Sequence, residues 1–213
     1  MNELNAIADG IRAVFETKNA ARDAAISRSR ELIRYCAEGI RAVHRRDWAL
    51  AESKLETART AAGELRDGVA DYPDLYFSGY TQDALKEVAE AFCTYAIIRG
   101  EDLPSPETLQ IEADTYLKGL AEAATELRRF ILDILRRLDG DMDEAERLLA
   151  WMDAVYDQLV TFDFPDAITG GLRRQTDVVR GVLERTRGDM TTTLQQQRLQ
   201  AALRRFEGKL GSE

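Results

Sequence analysis

Histidine is the scarcest reactive residue in this 213-residue chain: His44 is the only one, beside two cysteines, four prolines and 14 glycines. With one imidazole available, a Ser-His-Asp or Cys-His nucleophile would have to be built at His44, and neither Cys36 nor Cys93 has an obvious route to it. A ferritin-like di-iron centre needs Glu-x-x-His motifs, and no glutamate pair is followed by a histidine at that spacing. The glycines form neither a phosphate-binding loop nor a dinucleotide fingerprint. The two cysteines each sit among apolar neighbours in a helical pattern, which suits reduced core residues and excludes a disulfide or zinc framework. No apolar run approaches the ~20 residues that cross a bilayer, and the start, MNELNAIADG, lacks a basic region followed by an apolar stretch. The expectation is a cytoplasmic protein with no membrane segment.

Basic residues are also in deficit. The formal charge of -9 argues against a surface that coats nucleic acid throughout, while leaving room for a local basic lining. Lysine occurs only at 18, 54, 86, 118 and 209, and arginine supplies the rest. Arginine suits bidentate phosphate contacts, but genome composition or salt adaptation produces the same bias, so it weighs lightly.

What is present is helical periodicity. The prolines, Pro73, Pro104, Pro106 and Pro165, confine helix breaking to a few places. Residues 3 to 46 read as one long helix or two stacked ones, with Ile26, Leu32, Ile33, Ala37, Ile40 and Val43 at three- and four-residue steps. Asp47 is the expected N-cap of a helix over 48 to 69, which closes a helical hairpin. An aromatic loop, DYPDLYFSGYT, offers stacking surfaces for bases or, as such loops more often do, plugs a core or an interface. Thr81 is expected to cap a helix over 81 to 98, and Ser105 and Pro106 to start the longest one, over 106 to 137. A turn at Asp139-Gly140 leads to a helix over 142 to 160, and the loop TFDFPDAITGG to one ending near Arg187. A break at Gly188-Asp189 separates a polar segment, 189 to 213, that regains helical spacing. With 31% charged and 45% hydrophobic residues, the reading is all-α: an antiparallel bundle of about seven helices in one domain, 1 to 213.

Two helices carry paired glutamates one turn apart, Glu87 with Glu90 and Glu122 with Glu126. Packed side by side, they could converge four carboxylates, the hard oxygen donors that a magnesium-dependent phosphodiesterase needs. The alternative is four solvated glutamates lying opposite the apolar stripes, with Glu122 and Glu126 paired to Lys118 and Arg129 along one helix. Spacing leaves both open.

The order of features resembles the translin family, and within it the nuclease branch of translin-associated factor X (Trax) and its archaeal relatives. The matching pieces are Ala42-Val43-His44-Arg45, Glu87-Val-Ala-Glu90-Ala, Tyr116-Leu-Lys-Gly119-Leu-Ala-Glu122-Ala-Ala-Thr-Glu126-Leu-Arg128-Arg129, and Phe164 through Leu172-Arg173-Arg174 to Thr186-Arg187-Gly188. They span roughly residues 30 to 190. The resemblance implies a single translin-like helical domain and a metal-dependent endoribonuclease for single-stranded RNA. In that reading Glu87, Glu90, Glu122 and Glu126 are the catalytic residues and ligands of Mg²⁺ or Mn²⁺. Glu122 departs from the pattern, which has aspartate there; the extra methylene shifts the carboxylate. Candidates for holding the strand are Arg41, His44, Arg45 and Arg46, then Arg173 and Arg174, each of which helix-end capping or a surface ion pair would also explain. The resemblance further implies a hollow homo-oligomer, an octamer, that encloses RNA. The competing readings are a non-catalytic assembly binding single-stranded RNA or DNA, and a helical scaffold that binds another protein.

Overall fold

The computed structural model describes residues 2 to 137 and 140 to 210; Asp139 of the expected Asp139-Gly140 turn lies outside them, as does the end of the 189 to 213 segment. Among the described residues there are nine helices and no strand. They are α1 (Asn2–His44), α2 (Trp48–Gly68), α3 (Pro73–Tyr76), α4 (Gly79–Arg99), α5 (Pro106–Leu109), α6 (Ala113–Leu135), α7 (Met142–Leu159), α8 (Asp166–Thr169) and α9 (Leu172–Leu210). The all-α architecture is as the periodicity predicts. The number of helices differs from seven for local reasons: α3, α5 and α8 are single turns, and the two last expected helices are one.

Contacts divide the chain into two compact units, the first up to Ala123 and the second from Ala124, so the boundary falls inside α6. In the first unit, α1 packs along α2 and α4, and α2 also packs on α4. Leu32, Cys36 and Ile40 of α1 meet Leu55, Ala58, Ala62 and Leu65 of α2 and Leu85, Val88, Ala89 and Cys93 of α4. Gly39 lets the α1–α2 hairpin close, since a Cβ there would already stand 3.4 Å from Leu55 Cδ2. Arg46, with φ of 57°, ends α1: its N–H donates to the Val43 carbonyl and that of Asp47 to the Ala42 carbonyl. Asp47 then caps α2 by accepting from Leu50 N–H at 3.2 Å, as expected.

Two starts differ from expectation. The hydroxyl of Thr81 does not cap α4; it is buried inside the first turn and donates to the Leu75 carbonyl at 2.8 Å, while the helix begins at Gly79. Ser105 and Pro106 do start a helix, but Gln110 turns left-handed (φ 55°) and ends it after one turn, so the long helix begins afresh at Ala113. The aromatic loop mostly plugs the core: Tyr72, Tyr76 and Tyr80 pack against it, and Phe77 stays exposed.

In the second unit α7 packs on α9, with α8 against the start of α9. Leu127 and Ile131 of α6, Leu148 and Met152 of α7, and Leu172, Leu183 and Met190 of α9 are fully buried. The break expected at Gly188-Asp189 is absent, because α9 is anchored on both sides of it. Met190 is buried, and Arg128 donates to Thr186 Oγ1 at 3.1 Å and pairs with Asp189 at 2.7 Å. These anchors outweigh the ~1 kcal/mol that a glycine costs inside a helix.

Candidate functional site

The alternative in which solvated glutamates lie opposite a single packed stripe does not hold for α4. This helix is buried on nearly every side, with Thr81, Ala84, Leu85, Val88, Ala89, Ala91, Cys93, Thr94, Ala96, Ile97 and Ile98 all enclosed, so its second face is occupied as well. The neighbour on that face is the start of α6. Thr115 donates to Gln82 at 2.7 Å, and the Tyr116 hydroxyl lies 3.7 Å from Cys93 Sγ and donates to the Pro104 carbonyl at 2.8 Å.

Gly119 sets the approach. A Cβ at this position would stand 2.6 Å from Ala89 Cβ and from the Lys86 carbonyl, and 3.0 Å from the Glu90 amide nitrogen. Two of those three atoms are backbone and cannot swing aside, so only glycine permits this contact. Three residues on, the closeness carries Glu122 to the α4 carboxylates. One oxygen from each of Glu87, Glu90 and Glu122 lies within 4.8 Å of the others. Glu90 is 9% exposed, and the side chains of Glu87 and Glu122 are 24% and 25% exposed. Glu126 is half-buried and one turn further along α6 than Glu122.

Partners reach across the two helices. Lys118 pairs with Asp114 at 3.0 Å, and Glu122 is held instead by Lys86, whose ammonium stands 2.7 Å from each of its oxygens. The same ammonium is 3.5 Å from Glu87. Burial pushes the Glu87 carboxyl above its usual range; Lys86 pulls it back and Glu122 and Asp83 push it further up. Burial also works against the charge on Lys86, but the hydrogen bond and charge of Glu122, with help from Glu87, more than offset it and leave the lysine raised. Beneath lies α1: burial drives the Cys36 thiol far above its usual range, and Glu87 and Glu90 add to the shift. The thiol therefore stays neutral.

Such a donor set suits a small hard cation. For metal–oxygen distances of ~2.0 to 2.1 Å, oxygens of an octahedral site lie roughly 3 to 4 Å apart. Oxygens already within 4.8 Å need only small rotamer changes to reach that spacing.

Sequence reading missed Lys86 and Gly119 as parts of the site. Gly119 carries a weak signal, since a glycine inside a helical pattern costs ~1 kcal/mol against alanine and a packing contact is one reason to bear that cost. Lys86 carries none, because its partner is 36 residues away.

The basic candidates fall into two groups. Arg41, Arg45 and Arg46 are exposed and His44 is half-buried, all at the end of α1, where the negative end of the helix dipole accounts for cations. Arg173 and Arg174 are exposed in the first turn of α9, whose dipole disfavours them, and no ion pair among the described residues holds either. They line a concavity of about 910 Å³ together with Arg180, Phe162 and Phe164.

No protein-family model matches the chain. An uncharacterised protein of Methanocaldococcus jannaschii is 32% identical over 100% of this chain and 92% of its own length. The structure of Archaeoglobus AfC3PO with duplex RNA is 33% identical, with a TM-score of 0.79 over 87% of this chain and 95% of that one. A crystal structure of AfC3PO gives 32% and a TM-score of 0.77 over the same shares. Apo-NeC3PO from Nematostella, at 20% identity, shares the fold, with a TM-score of 0.78 over 87% of this chain and 96% of that one.

Proposed function

The chain belongs to the translin family, and from that premise we propose that it is a Trax-like, metal-dependent endoribonuclease that cleaves single-stranded RNA inside a homo-oligomer. One observation carries the reading: Glu87, Glu90 and Glu122 offer three oxygens within 4.8 Å of one another on two helices held in contact. Pairing with Lys86 accounts for Glu122 and Glu87 but does not by itself account for Glu90 beside them.

In this reading the three glutamates hold Mg²⁺ or Mn²⁺, with Glu126 as the fourth carboxylate of the set. A bound ion of this kind supplies a water of lowered pKa and neutralises charge on the scissile phosphate. The residues supply the rest. Half-buried carboxylates on packed helices lose little freedom on binding and fix where the strand's phosphate must sit. Glu122, longer by a methylene than the family's aspartate, still reaches the other two because the glycine contact brings α6 close. The strand itself is held by arginines, of which Arg173 and Arg174 are the best placed, since capping does not explain them. AfC3PO has been seen with duplex RNA, so paired as well as single-stranded RNA belongs among the trial ligands, and ssDNA with them.

Oligomer formation is supported by apolar side chains left in solvent. Leu4, Ile7, Ile11, Val14 and Phe15 on α1 and Phe162, Phe164 and Ile168 before α9 are all exposed. A closed octamer would cover such surfaces and let an acidic exterior enclose RNA. No helix among the described residues is long and apolar enough to cross a membrane, which is compatible with a cytoplasmic site of action.

A second reading, an assembly that binds RNA without cutting it, is favoured by Lys86, which already neutralises Glu122 and so reduces the need for a metal. The deciding experiment is cleavage of labelled single-stranded RNA with Mg²⁺ or EDTA, comparing the parent with Glu122→Gln and Glu126→Gln. Metal-dependent cleavage lost in both variants is expected. RNA bound but left intact by all three proteins would overturn the nuclease reading.

A further inference from the structure

We propose that Lys86 is the site's resident counter-cation, displaced when a divalent ion binds and thereby released to hold a phosphate of the RNA strand. The proposal rests on the reading of Glu87, Glu90 and Glu122 as cation ligands and adds an exchange that this reading does not contain. Both oxygens of Glu122 are taken by one ammonium, each at 2.7 Å, and the Glu87 carboxylate stands 3.5 Å from it. The lysine side chain is only 17% exposed.

A divalent ion bound to an oxygen of Glu122 would stand within a few ångströms of the Lys86 nitrogen in its present place. Two cations at that separation repel strongly in a partly desolvated site, and both draw on the same oxygens. One must leave, and only the lysine has a flexible four-carbon stem. A half-buried ammonium that gives up its carboxylate needs another anion, and a strand phosphate drawn to the metal is the anion that arrives. Lysine suits this task because it binds phosphate as a point charge, without the fixed planar geometry that arginine demands. Lys86 is thus a positioning residue for the strand, and it makes RNA contact at the site conditional on metal.

Full-length parent, Lys86→Met and Lys86→Arg separate this from a purely structural role. The probes are Mn²⁺ alone, followed by paramagnetic resonance and calorimetry, and a 2′-O-methyl oligoribonucleotide that cannot be cleaved. Methionine keeps the stem and removes the competitor, so Mn²⁺ should bind Lys86→Met at least about tenfold more tightly than the parent and raise its Tm further. Arginine keeps the charge and clasps Glu122 with two donors, so Lys86→Arg should bind Mn²⁺ more weakly, whether or not the methionine variant folds without metal. With Mn²⁺ present, Lys86→Met should bind the oligonucleotide several-fold more weakly than the parent; without Mn²⁺ the two should bind alike. Equal Mn²⁺ affinities in parent and folded variants would overturn the exchange while leaving the metal site standing. Absence of Mn²⁺ binding to the parent would instead overturn the metal reading, and the exchange with it.

Discussion

At the α4–α6 contact one ammonium serves two carboxylates: Lys86 spans Glu122 and Glu87 at 2.7 and 3.5 Å, in a site less than a third exposed. At the start of α9, Arg173 and Arg174 stand in solvent against the helix dipole, with no ion pair among the described residues. The first arrangement already holds a cation of its own chain, which in the proposed exchange a divalent ion replaces. The second leaves Arg173 and Arg174 open to an anion from outside, although Asp163, Asp166 and Asp177 line the same concavity. Counting charged residues would have ranked the two alike; burial and partners separate them.

The sharpest way to break the comparison is to pry the first site open. Gly119→Val places carbon against the Lys86 carbonyl and the Glu90 backbone, so the expected loss is ~1 to 3 kcal/mol of stability in urea denaturation, together with Mn²⁺ binding. Retained stability and metal affinity would show that α4 and α6 have room for a side chain at Gly119. Next in size, Glu90→Gln keeps the shape of the most buried ligand and removes its charge; calorimetry should show Mn²⁺ affinity down by more than about tenfold with little change in Tm. A larger Tm loss than affinity loss would make Glu90 structural.

At the second site, Arg173→Ala and Arg174→Ala should weaken oligonucleotide binding uniformly across sequences, each lowering the magnitude of the salt slope by ~0.7 for a single strand. Their Tm should hold or rise slightly, because the dipole no longer opposes a cation. The same change at Arg45 should leave the salt slope where it was. A slope that moves at Arg45 and not at Arg173 would reverse the assignment of the basic groups.

The smallest effect is in pH. Burial raises the Glu87 carboxyl above 4.5, so the folded chain binds that proton more tightly than the unfolded one does. Stability from this group is therefore greatest at low pH and falls as pH rises from about 4.5 through the raised value. The Tm of the parent relative to Glu87→Gln should decline over that window, and saturating Mn²⁺ should flatten the decline. A rising difference would mean that Lys86 outweighs burial at Glu87.

Local pattern made much of this legible. Asp47 reads as a cap from sequence and is one, and Cys36 and Cys93 read as buried thiols and are. The glutamate pairs were visible as pairs. Less visible was anything set by a partner far along the chain. The alternative that set Glu87 and Glu90 in solvent assumes one packed face, and α4 has more than one. Gly188 reads as a break, since the sequence does not display that Asp189 meets Arg128, 61 residues away.

The sequence by itself determined that the protein is helical and where most helices run, and it left acid-rich metal chemistry or no chemistry as the readings its residues allow. Those properties follow from neighbours within a turn or two, where periodicity and capping act. Only the tertiary structure decided that Gly119 would touch α4, that three carboxylates would meet there, and that a lysine would stand among them. Each of these depends on which faces of two helices meet so closely that a Cβ at Gly119 would find no room, a fact that no spacing along one helix contains.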